Sequence, residues 1–235
     1  MHKDSICGIC NCVIRDNTLF SALTDKQIDT FKYAIITTLH RKRDVVFMEQ
    51  DTCNGLYIIR SGRVKLVRSS RRGKEQILKI LQPGDIIGTE VFYNAKTYGN
   101  TAIAMEETEL CYLKKDDFFE ILKTEPEIAK KLIISLAREL DQAYAQIGNM
   151  GLLNAREKMA HLLYTLAVEY GKSENNTVRL QLTFSRLEIA ELLGITQETS
   201  IRLLKGFKDD DILDIKRKEL IIKSLARLKE IGGIE

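Results

Sequence analysis

From Arg43 to Leu113 the apolar residues come in short runs, VVFM, LYIIRSGRVKLVRSS, ILKILQPGDIIG and TAIAMEETELCYL, separated by turn formers. Gly62, Gly73 and Pro83-Gly84-Asp85 stand at hairpin-like intervals among them. Short strands punctuated in this way predict an antiparallel β domain, a jelly-roll-like sandwich or barrel. Such a roll buries a core, and it can also enclose a ligand, so a sensor role is open.

The period then lengthens. Between Glu127 and Gly151, the residues Ile133, Leu136, Leu140, Ala143, Ile147 and Met150 recur at alternating steps of three and four. That spacing draws one apolar seam along a long helix. The seam suits either the chain's own β domain or the same helix of a second copy.

Residues Leu182 to Phe207, reading LTFSRLEIAELLGITQETSIRLLKGF, carry two shorter helical patterns broken at Gly194. Ser185 is placed to cap the first, whose apolar residues are Ile189, Ala190, Leu192 and Leu193, and glycine suits a tight turn after it. Thr196 is placed to cap the second, with Ser200, Leu203, Leu204 and Phe207 on one side and Gln197, Glu198, Ile201 and Arg202 on the other. The second side has the chemistry of a base-reading face. Arginine donates two hydrogen bonds to guanine, glutamate accepts from cytosine, glutamine pairs with adenine and isoleucine touches a thymine methyl. An ordinary helical hairpin with a solvated outer face is the plainer alternative. The next segment argues against it: Ile212 to Lys223 reads as two short apolar runs around Lys216, Arg217 and Lys218, a hairpin with a basic tip. Those cations, with Thr196, Lys205 and Lys208 beside the helix, suit phosphates.

A chain of 235 residues, 44% hydrophobic and 29% charged, is long enough for two modest domains and has a globular balance. Its net charge of +3 is too small to argue for nucleic acid by itself, so the electrostatic case rests on where the basic residues cluster. The start, MHKDSICGICNC, lacks the apolar stretch of an export signal, and no run of roughly 18 apolar residues occurs. A cytoplasmic protein without membrane contact is expected. An enzyme is not, because the chain has no phosphate-cradling Gly-Lys loop, nucleophile elbow or zinc-hydrolase helix.

In a reducing compartment the five cysteines read as metal, cluster or redox groups, not as a disulfide framework. Cys7, Cys10 and Cys12 form a C-x2-C-x-C group, and Cys111 lies in the strand-like segment ELCYL. Four thiolates suit an iron–sulfur cluster or zinc, whereas a lone strand cysteine is ordinarily a small buried hydrophobe. Cys53 is expected as a loop or edge thiol, with a substitute ligand as the alternative, and His2, His40 and His161 show no ligand spacing.

The order of parts, β-roll, long seam helix and winged helix-turn-helix, together with LYIIRSG, QPGDIIG and TQETSIRLL, resembles the CRP/FNR family of cyclic-AMP receptor and fumarate–nitrate reduction regulators. The resemblance implies an α+β fold: a cysteine-containing arm at 1–19, a β-roll sensor at 20–123, a dimerisation helix at 124–152 and a winged helix-turn-helix at 153–235. It also implies a homodimer on palindromic double-stranded DNA, with half-sites about one helical turn apart. RNA polymerase is the further partner it implies.

In cyclic-nucleotide-binding members of the family, a glutamate after the GDIIG-like turn is followed by an Arg-Ser or Arg-Thr pair that holds the cyclic phosphate. Here that pair is Asn100 and Thr101, and Lys96 is a poor substitute, so cyclic AMP is not expected. Cys111 falls where oxygen-sensing members place a fourth cluster ligand. This implies a [4Fe–4S] cluster on Cys7, Cys10, Cys12 and Cys111 that responds to oxygen, nitric oxide or redox state. The arm departs from the family pattern because only Asn11 separates Cys10 from Cys12, which leaves zinc, a smaller cluster or a thiol switch open. Haem or another small effector in the roll is the alternative sensor. Two further departures concern the helices: Ala143, not a carboxylate, stands on the seam, and Ser200 and Ile201 occur in the reverse of the usual order, while Glu198 and Arg202 match.

Overall fold

The computed structural model describes Thr24 and residues 32–93, 95–174, 177–180, 184–216 and 219–234. The chain divides into two compact units between Glu139 and Leu140. That division falls inside one continuous helix.

Among the described residues, eight strands build the first unit: β1 (Ile35–His40), β2 (Val45–Phe47), β3 (Gly55–Ser61), β4 (Val64–Ser69), β5 (Glu75–Leu81), β6 (Ile86–Ile87), β7 (Thr101–Ala104) and β8 (Thr108–Lys114). They pair in two four-stranded antiparallel sheets, ordered β1-β8-β3-β6 and β2-β7-β4-β5. This is the β-roll expected from the short apolar runs. Leu56, Ile58, Ile59, Val64, Leu81, Leu110 and Leu113 are buried and form its core. The β3–β4 turn needs Gly62, whose φ is +78°, since a Cβ there would sit 2.5 Å from the Glu107 carbonyl.

Two helices follow. In α1 (Lys115–Thr124) Phe118 and Ile121 are buried, and α2 runs from Pro126 to Leu152, with proline at its first position, where no N–H is needed. Ile128 and Leu132 of α2 join the roll's buried cluster, with Leu136 packed half-buried against it. The Lys79 ammonium meets the Glu139 carboxylate at 3.0 Å on the same helix.

The second unit holds α3 (Ala155–Tyr170), β9 (Gly171–Glu174), β10 (Thr177–Leu180), α4 (Arg186–Leu193), α5 (Gln197–Asp209), β11 (Leu213–Lys216), β12 (Glu219–Ile222) and α6 (Leu225–Ile231). Its sheet runs β11-β12-β10-β9. The wing hairpin β11–β12 is therefore continued by a second hairpin that the sequence pattern does not single out. Helix α3 starts in a capping box, with Asn154 accepting from Arg156 and Glu157 backbone N–H groups and Glu157 reaching back to the Asn154 N–H.

Candidate functional site

The helix-turn-helix is assembled by local chemistry. Ser185 accepts from the Glu188 N–H at 3.1 Å while Glu188 accepts from the Ser185 N–H at 2.9 Å, a reciprocal cap that starts α4. Gly194 ends that helix in the left-handed region at φ 68°, and Thr196 opens α5 by accepting from the Thr199 N–H at 3.2 Å. The start of α5 fixes its rotation: Ser200, Leu204 and Phe207 are buried, and Gln197, Glu198, Ile201, Arg202 and Lys205 are exposed. Four side chains with base-reading chemistry thus share the free face of one capped helix.

The far end of α5 is braced from α3. The Arg156 guanidinium lies 4.8 Å from the Phe207 ring centroid and reaches Asp210 at 2.6 Å, and Arg227 of α6 donates to the Asp210 carbonyl at 2.6 Å. In the wing, Lys216 is exposed, while Arg217 and Lys218 lie outside the described residues. Lys208 differs from the sequence expectation. Its ammonium is engaged by Asp214 at 3.1 Å, so it serves the wing more than a phosphate. The Ile215 backbone N–H and then Lys208 hold the Asp214 carboxyl below the usual range.

Ser200 carries a small internal cost. It is fully buried, and its hydroxyl finds no hydrogen-bond partner among the described residues. Replacing it by alanine removes that unpaired group and improves helix propensity, so Ser200→Ala is expected to stabilise the protein by about 0.5–1.5 kcal/mol. Urea unfolding followed by circular dichroism reads this directly, and a destabilised variant would show that the hydroxyl is satisfied in solution.

The sensor residues are divided. Cys7, Cys10 and Cys12 lie outside the described residues, and among those described no group of three or more His, Cys, Asp or Glu side chains is placed to hold a metal. Cys111 is fully buried in β8, paired in register with Thr37 of β1 and Ile58 of β3, and its sulfur is 4.0 Å from the Thr37 hydroxyl. A thiol such as that of Cys111 has the donor chemistry that iron–sulfur clusters use. Cys53 lies in the loop before β3 as expected, but it is buried, not at an edge. Burial, and then Glu90, push its thiol above the ordinary range, so it is a poor nucleophile. His40 and His161 are part-buried, hydrogen-bonded to Thr38 and Asn149, and lowered by burial, as structural histidines are.

Polar groups near the segment that would face a cyclic phosphate already have partners. The Glu90 carboxylate accepts from the Gly99 N–H at 2.9 Å, and the Thr101 hydroxyl accepts from the Glu49 N–H at 3.0 Å. Tyr98 is buried, stacks on Phe47 with ring centroids 3.8 Å apart, and donates its hydroxyl to the Gly55 carbonyl at 2.8 Å. Burial holds the Tyr98 phenol far above its usual range. Tyr57 and Tyr112 extend the aromatic group, with centroids 4.9 Å apart.

Residues 38–125 match the family described as cyclic nucleotide-binding domain, and residues 157–231 match the Crp-like helix-turn-helix domain, together more than two thirds of the chain. The chain belongs to the CRP/FNR family of transcription regulators. Among CRP/FNR relatives, it is 29% identical over 193 residues to the anaerobic regulatory protein of Aggregatibacter actinomycetemcomitans, covering 82% of this chain and 75% of that one. It is 26% identical over 219 residues to the cyclic AMP receptor protein of Thermus thermophilus, covering 93% and 98%. A mutant of CooA from Carboxydothermus hydrogenoformans has a similar structure, with a TM-score of 0.77, 26% identity and coverage of 92% and 96%. CRP/FNR regulators act by binding DNA through the helix-turn-helix and not by catalysis. Among the described residues of this regulator, no helix is long and apolar enough to cross a membrane.

Within the described residues, most seam positions of α2 are exposed. Ile133, Leu140, Ile147 and Met150 are 67%, 51%, 65% and 51% exposed, Ala143 is exposed, and only Leu136 is drawn toward the roll.

Proposed function

We propose that this CRP/FNR regulator reads a palindromic duplex as a homodimer and senses oxygen, nitric oxide or redox state through an iron–sulfur group. Base readout is assigned to Gln197, Glu198, Ile201 and Arg202, and phosphate contact to Thr196, Lys205, Lys216, Arg217 and Lys218. Dimer contact is assigned to Ile133, Leu136, Leu140, Ala143, Ile147 and Met150, whose exposed positions repeat every seven residues. RNA polymerase is the protein partner that a transcription regulator of this kind engages.

The observation that carries the sensing half is the place of Cys111. It sits mid-strand in β8, inside the buried cluster that also contains Ile128 and Leu132 of α2. A ligand there is rigidly held, and its protonation and bonding bear on the packing that supports the dimer helix. Cys7, Cys10, Cys12 and Cys111 would hold the group, most simply a [4Fe–4S] cluster. When bound, it would supply a centre that oxygen or nitric oxide attacks. The chain's own part is to tie its first residues to β8 and so bias α2 toward the arrangement that binds DNA. A cyclic nucleotide has less in its favour, because Glu90, Tyr98 and Thr101 are engaged within the protein and no guanidinium stands at position 100 or 101.

Anaerobic purification tests the reading. The wild type is expected to be brown with iron and acid-labile sulfide, and Cys111→Ser to lose both while keeping its fold by circular dichroism. Colourless protein with zinc would end the redox proposal, and a sharp Soret band would replace it by haem.

A further inference from the structure

Helix α2 passes from one unit into the other at Leu140, so the second half of the seam, Leu140, Ala143, Ile147 and Met150, belongs to the same unit as the reading helix α5. Only Leu153 and Asn154 separate the end of α2 from the start of α3. A two-residue link between helices is a natural pivot. The last turns of α2 are also intrinsically weak, because they carry Gly148 and Gly151, where a Cβ would meet nothing beyond its own helix within 4 Å among the described residues.

Side chains close that pivot. The Lys158 ammonium of α3 donates to the Met150 carbonyl of α2 at 2.7 Å, and the Asn149 amide of α2 donates to the His161 Nε2 of α3 at 3.1 Å. The first contact satisfies a carbonyl in the last turn of α2 and sets a cation at the negative end of that helix. The second engages α3 three residues further on, and two points of attachment fix an angle where one would leave a swivel. The Asn154 capping box holds the chain between them. From α3 the constraint runs on to α5, since Arg156 lies over Phe207 and pairs with Asp210. Side-chain bonds thus join the seam end of α2 to the far end of the helix that reads bases.

We propose that Asn149, Lys158 and His161 are positioning residues that set the half-site spacing this regulator accepts, acting through α5 and not by contact with bases. The proposal rests on the dimeric, palindromic reading above. Shifting one half-site by one base pair moves it by about 3.4 Å along the duplex and turns it by roughly 35°. Two reading helices held at a fixed angle to a shared seam cannot follow that shift, whereas helices on an open pivot can.

The test uses the full-length protein, a half-site that the wild type selects from random duplexes, and inverted pairs of it at the selected spacing and one base pair shorter or longer. At matched salt, the wild type is expected to lose about ten-fold or more on either shifted pair, as the second half-site drops out of register. Asn149→Ala/Lys158→Met should bind all three pairs within about three-fold of one another, because the second head now reaches each spacing. Its affinity for a single half-site, its dimeric mass by sedimentation velocity and its thermal unfolding midpoint should match the wild type. Lys158→Arg/Asn149→Gln, which can still make both bonds, should restore most of the discrimination. A double variant that discriminates as sharply as the wild type would overturn the proposal. So would a loss equal on all three pairs and on the single half-site, which marks a general structural role, or a monomeric variant, which makes the two contacts part of the seam. Wild type that binds the pair no better than one half-site would overturn both this proposal and the dimeric reading beneath it.

Discussion

Leu140→Glu/Ile147→Glu is expected to convert the regulator to a monomer and to reduce its affinity for a palindromic site by about two to four orders of magnitude. The two side chains lie seven residues apart on α2 and are more than half exposed, so the glutamates face solvent in a lone copy but meet their own counterparts across a dimer seam. Burying like charges there costs far more than the seam returns. The size of the DNA effect follows from linkage: with two reading heads joined, the second half-site is bound at an effective concentration in the millimolar range, and a monomer forfeits that gain. Sedimentation velocity reads the mass, and fluorescence anisotropy on full and half sites reads the affinity. A variant that still sediments as a dimer, or that keeps wild-type affinity on the palindrome, would remove α2 from the role assigned to it.

Arg202→Ala is the second large effect, a loss of about 1–3 kcal/mol on the cognate duplex, or roughly five- to 160-fold in affinity at matched salt. Arg202 is exposed on the face it shares with Glu198, one helical turn away. A base reader differs from a phosphate contact in its signature. Arg202→Ala should relax preference at one position of each half-site and leave non-specific binding nearly intact, whereas Lys205→Ala should weaken all sequences alike and reduce the salt slope by about one. Unchanged selectivity in Arg202→Ala would show that sequence is read elsewhere.

How much of the molecule is legible in its sequence depends on the range of the interaction. Ser185, Gly194 and Thr196 act within three or four residues, so the two helices, their turn and the outward face of Gln197, Glu198, Ile201 and Arg202 are written locally. The wing is readable for the same reason. Helix α3 is not, because every residue from Ala155 to Ala167 is at least partly buried, and no polar stripe breaks the pattern into a period. The burial of Cys53 depends on strands and loops far along the chain. So does the β1-β8-β3-β6 order, in which β1 pairs with a strand about seventy residues later. The Lys208 pairing is hidden because its partner, Asp214, reaches back from the wing, and a charge count cannot tell a waiting cation from one already spoken for.

The saturated polar groups around Tyr98 also restrict what descent with modification can do with this roll. Asn100→Arg would supply the one cation absent from a cyclic-phosphate grip. That single step would bring no new effector, because Glu90, Tyr98 and Thr101 would each have to surrender an existing bond at the same time, and every intermediate genotype would carry the loss without the benefit. A change of effector in this roll would therefore take several coordinated substitutions, and position 100 alone would not bring it.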